Sequence, residues 1–142
     1  MTQPPEPGPD KAHWHYQRAD AYRELAEGML ERSRTATEHA AVLADAAGAL
    51  LYEAAKQCVN AVANLRGNDP QDNHAKIAVV RAIIAEGFTS YDLRGGARAA
   101  WELHIHADQG GLLPDRFADR FAMAADFVYE MQAIYRNIAA PG

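Results

Sequence analysis

One apolar stripe constrains this chain more than any other feature. Leu43, Ala47, Leu51, Ala54, Cys58, Val62 and Leu65 step by four, four, three, four, four and three residues, with Val42, Leu50 and Val59 beside them. A spacing that alternates three and four keeps side chains on one side of an α-helix, so the pattern predicts a helix of about eight turns over 37–65. The helix is rich in alanine on its buried side, which lets neighbouring helices approach closely. Arg66-Gly67 closes it with a C-terminal cation and a following glycine.

The same logic extends along the chain. Tyr22, Leu25, Ala26 and Met29 mark a helix over 11–32 with Asp10 as its N-cap, and Ser33–Thr37 supplies a break and a fresh cap. Ile77, Val80 and Ile84, flanked by Val79 and Ile83, predict a helix over 74–86 that is buried on two sides and stopped by Gly87. Residues 88–96 read as irregular, with Gly95-Gly96 permitting a sharp change of direction. A short helix over 97–108 carries Trp101, Leu103, His104, Ile105 and His106. A last helix starts at Pro114 and holds Phe117, Phe121, Ala124, Val128, Met131, Tyr135 and Ile138 in strict alternation of four and three. The expected fold class is all-α, an up-and-down bundle of four to five helices. Residues 11–142 form the bundle domain. Residues 1–10, with four prolines and no apolar cluster, are expected to be a disordered leader.

Composition narrows the partners. The net charge of −5 argues against a surface coated for duplex DNA but leaves room for a local basic groove. A single cysteine, Cys58, excludes an intrachain disulfide and a C-x-x-C zinc pattern, and it sits within the apolar stripe as an inert core thiol. No apolar run approaches the roughly 20 residues that span a bilayer, so no membrane partner is expected and the default location is cytoplasmic. No Gly-rich phosphate loop or nucleophile elbow is present, and no cofactor is expected.

The histidines are the first chemical candidates. His13 and His15 stand two apart on an expected exposed first turn, about 200° from each other, so they do not chelate one metal. His104, His106 and Asp108 form an H-x-H-x-D string, in which His104 and Asp108 share a face while His106 points elsewhere. A zinc site needs three converging ligands, and the chain contains neither H-E-x-x-H nor E-x-x-H, so no metal site is expected. His104 shares a stripe with Trp101 and Ile105, which suits a core histidine. It also follows Arg98 by five intervening residues. An imidazole that transfers protons near pH 7 and a cation for the scissile phosphate are what a metal-free ribonuclease requires. Arg32 and Arg34 stand at similar spacings from His39, so spacing alone does not single the pair out.

The binding candidates are Lys56, Asn60, Asn64, Arg94, His106 and Arg116. Lys56, Asn60 and Asn64 repeat every fourth residue on the long helix, either as a solvated face or as the edge of a groove. Arg94 and Arg98 flank the paired glycines, and Arg116 and Arg120 lie four apart near the start of the last helix. Together they form one positive patch if that helix begins beside the glycines, or they pair with Asp115 and Asp119.

Two stretches, YEAAKQCVNAVANL (Tyr52–Leu65) and WELHIHADQGGLLPDRFADRFAMAADFVYEMQAIY (Trp101–Tyr135), resemble the HEPN superfamily of helical domains, in its PaREP1-like branch. The resemblance implies a bundle, often a homodimer. It implies either RNA cleavage without metal through an Arg-x4–6-His motif at the dimer interface, or nucleotide binding, or a non-catalytic role beside a partner. Only Arg98 and His104 match the catalytic positions. Ala99 stands where active members carry a polar residue, and Ile105-His106-Ala107 replaces their Asn-Phe-Tyr. The expectation is a domain that binds RNA or a nucleotide, with weak ribonuclease activity or a place in a toxin–antitoxin or defence pair. The competing expectation is a non-catalytic interaction module, homodimeric or bound to an antitoxin or other protein.

Overall fold

The computed structural model describes residues 6–140, which form five α-helices and, among the described residues, no strand. They are α1 (Pro9–Thr35), α2 (Ala40–Leu65), α3 (Asn73–Glu86), α4 (Leu93–Gln109) and α5 (Pro114–Ala139). The chain is an all-α bundle built around α2, the one helix that packs against all four others. Its stripe is the core: Ala47, Leu51, Ala54, Cys58 and Val62 are buried, with Leu43 and Leu65 half-buried at the two ends.

Small residues let this core close. At Gly48 of α2, a Cβ would lie 3.2 Å from the Phe117 ring and 3.4 Å from Leu103, so α2, α4 and α5 meet there nearly backbone to side chain. The last helix follows its sequence pattern as far as Tyr135, with Ile138 half-buried at its end. Phe117, Phe121, Ala124, Val128, Met131 and Tyr135 are all buried.

Polar seams bind α1 to the rest. Lys11 pairs with Asp69 just beyond α2, and Arg23 bonds Glu27 and the Tyr129 hydroxyl of α5. Burial pushes the Asp69 carboxyl up, but the hydrogen bonds from Lys11 and Asn64 outweigh it and hold the group below its ordinary value.

Several boundaries differ from the sequence expectation, each for a physical reason. Pro9 and Asp10 belong to α1, with Gly8 rather than Asp10 as the N-cap, because proline is tolerated in a helix's first turn. Residues 1–5 of the expected leader lie outside the described residues. The Ser33–Thr37 break falls later, at Ala36, and the Ser33 and Thr35 hydroxyls inside α1 bond back to the Leu30 and Arg32 carbonyls instead of starting a new helix. The α2 N-cap is His39, in the left-handed conformation at φ 59°.

Gly95-Gly96 is no bend. Asp92 accepts from the Gly95 amide at 3.0 Å and starts α4 at Leu93. Gly96 is there for closeness, because a Cβ would meet Phe127 Cβ at 2.7 Å and the Tyr91 hydroxyl at 2.8 Å. On α1, Leu25 is 57% exposed, and the buried residues are Ala12, His15, Ala19 and Ala26. His15, expected on an exposed turn, is buried against Gln57.

The largest departure is α3. It buries Val79, Val80 and Ile83 but leaves Ile77 50% and Ile84 44% exposed. It packs only on α2 and α4, so one of its two apolar sides is uncovered.

Candidate functional site: a basic-rimmed groove over α2, α3 and α4

That uncovered side opens onto a groove of about 570 Å³. Each of three helices supplies a face with residues three, four and seven apart. From α2 come Tyr52, Ala55, Lys56 and Val59; from α3, Ile77, Val80, Arg81 and Ile84; from α4, Arg94, Ala97, Arg98 and Trp101. Phe127 of α5 reaches the floor from behind. The floor is therefore aliphatic and aromatic, and of its three rings only Trp101, 42% exposed, stands open, while Tyr52 and Phe127 are buried.

The rim carries a single sign. Lys56, Lys76, Arg81, Arg94 and Arg98 line the groove and no carboxylate does, on a chain whose net charge is −5. The rim cations differ in how far they are occupied. Lys56 pairs with Glu53 at 2.7 Å and lies over the Tyr52 ring. Arg98 is 81% exposed and its Nε stands 3.4 Å from Glu102. Arg81 and Arg94 make no ion pair among the described residues. Water screens a surface pair only partly inside a concave apolar lining, so these charges set the sign of whatever binds.

Arg98 and His104 do not share this groove. Six residues along a helix rotate a side chain by about 600°, which leaves the two about 120° apart. The His104 ring stacks on Tyr52 at 4.4 Å and tilts against Trp101 at 5.3 Å, and its Nε2 stands 3.9 Å from Asp108. Arg98 also joins Arg116 and Arg120 in a second, smaller groove of about 480 Å³, where Glu102 bonds Arg120 and faces Arg98. The four-arginine patch is thus divided. Arg94 and Arg98 belong to the large groove; Arg98, Arg116 and Arg120 belong to the small one.

The other candidates lie elsewhere. Asn64 is fully buried, and its amide donates to the Asn60 carbonyl at 2.8 Å and to Asp69 at 3.2 Å. Asn60 and Asn64 each leave a buried side-chain oxygen without a partner among the described residues. Of the polar row expected on α2, only Lys56 reaches the groove. His106 is a clasp: its Nε2 donates to Asp45 at 2.9 Å and its Nδ1 accepts from the Leu112 amide at 3.0 Å. Both nitrogens are engaged, and the α4–α5 turn is held against α2. Among the described residues no group of three or more His, Cys, Asp or Glu is placed to hold a metal ion.

Lys76, Arg81 and the open Ile77–Ile84 face were not singled out from the sequence. The signal is present in an apolar stripe on α3 bordered by two cations, but the same stripe fits a helix buried on two sides. No family model, curated protein or solved structure matches the chain.

Proposed function

We propose that this protein is a non-catalytic binding module whose large groove holds an anionic partner with substantial apolar surface. One observation carries the reading: five cations and no carboxylate surround an open floor of Ile77, Ile84 and Trp101. Apolar side chains exposed in a concave site mark a place where something else excludes water. The surrounding cations select against neutral or basic competitors. No helix of the described chain is long and apolar enough to cross a membrane, and action in the cytoplasm belongs to the same proposal.

The test is titration with anilinonaphthalene sulfonate, an aromatic anion that fluoresces when it leaves water. One saturable site is expected on the wild type, much weakened in Ile77→Glu/Ile84→Glu and in Arg81→Glu/Arg94→Glu, with the helical circular dichroism of all three unchanged. Dye binding untouched by either double substitution would sink the proposal.

A second reading retains the HEPN-like expectation of an RNA or nucleotide ligand, cleaved by Arg98 and His104. The exposure of Arg98, and its place in both grooves, favours it. Because the two side chains lie on different faces of α4, cleavage requires a second copy to complete the pair. It is tested by incubation with single-stranded RNA. Cleavage lost in both Arg98→Ala and His104→Ala would carry this reading over the first.

A further inference from the structure

The sequence of α3 specifies more helix–helix contact than the chain provides. Ile77 and Ile84 stand two turns apart, at the spacing by which one helix meets another, and Trp101 faces them across the groove. On α2 and α4 the lining residues repeat at the same three-four intervals. Three helices thus present bundle-type faces to a space that no fourth helix of the described chain fills.

We infer that the groove docks an amphipathic α-helix supplied by another protein, with an apolar stripe three and four residues apart bordered by aspartate and glutamate. This rests on the groove being a binding site, and it names the occupant. Length follows from α3, whose 14 residues give a wall about 21 Å long, enough for roughly four turns of a docked helix. Charge follows from the rim. Arg81 on α3 and Arg94 on α4 stand on opposite walls without ion partners among the described residues, so acidic residues on both edges of the incoming stripe meet them.

Other occupants fit less well. Two copies meeting face to face across a two-fold axis would bring together two rims that each carry cations and no carboxylate. A single nucleic acid strand binds through a succession of stacking platforms, and the floor offers one exposed aromatic ring, Trp101, among branched aliphatic side chains.

The experiment is selection from a displayed library of 16-residue helical peptides whose apolar stripe is fixed and whose flanking positions are randomised, against the full chain. Recovered peptides are expected to be enriched in Asp and Glu on both flanks. Arg81→Glu/Arg94→Glu is expected to weaken a recovered peptide about tenfold, and Ile77→Glu about thirtyfold. Peptides recovered without acidic enrichment, or bound equally by the variants, would overturn the helix proposal. If the dye still titrates the groove, only the occupant falls; if it does not, the binding site falls with it. Two further results overturn the proposal. One is a wild-type dimer in sedimentation that Ile77→Glu dissociates, which makes a second copy the occupant. The other is displacement of the dye by a uridine oligonucleotide in an Arg81- and Arg94-dependent manner.

Discussion

The α2 and α3 helices carry the same kind of sequence and meet different fates. Both have apolar residues at intervals of three and four. On α2 the stripe is covered on every side by α1, α4 and α5, whereas α3 touches two helices and leaves Ile77 and Ile84 in water. A stripe covered within the chain contributes to folding. One left uncovered contributes little until a partner arrives. The contrast separates stability from recognition, and each can be disturbed without the other.

The largest expected effect is on the covered side. Leu51→Ala removes a fully buried side chain from the centre of α2 and should cost about 2–5 kcal/mol in urea unfolding. Gly96→Ala comes next, at about 1–3 kcal/mol by thermal unfolding, because its Cβ would strike the Phe127 side chain and the Tyr91 hydroxyl.

Acid should act third, and on the covered side. Asp69 and Asp20 both titrate below their ordinary value of 3.8. For Asp20 the hydrogen bond from Arg23 is the main cause. For Asp69 burial opposes the shift, and the bonds from Lys11 and Asn64 prevail. A folded-state value below the unfolded one means these carboxylates stabilise the fold above about pH 4. That contribution is lost as pH falls through the folded values. Amide exchange should therefore show the seams of α1 loosening on acidification before α4–α5 does. Equal loosening of both would show that the ion pairs do not hold α1.

The smallest effect on stability sharpens the contrast most. Ile77→Ser on the open face should shift urea unfolding by no more than about 0.5 kcal/mol, yet it should measurably weaken dye binding in the groove. A large stability loss would show that the groove wall is part of the core.

The histidines show where linear sequence is a poor guide. The residues from 101 to 106 look alike as a string, but His104 lies on an aromatic surface while His106 is tied to Asp45, sixty-one residues away. Its place near a helix start predicts an exposed His15, but the packing of α1 on α2, where Gln57 bonds the ring, buries it. The row Lys56, Asn60, Asn64, repeating every fourth residue, predicts a surface amide at Asn64. The polypeptide turning back at Asp69 encloses it. Arg98 and His104 are a different case. The rotation of about 100° per residue already separates them on α4, so that divergence was calculable before any packing was known.

By itself the sequence determined the five helices, the α2 and α5 stripes and the stop at Gly87, because helical periodicity and end signals are local and depend on residues within a few positions of one another. The tertiary structure decided which stripe is covered. It made Gly95-Gly96 a contact instead of a hinge, gathered cations from three helices around one floor, and left part of α3 without a neighbour. Those outcomes depend on the distances between helices remote in sequence, and no periodicity within one helix encodes them.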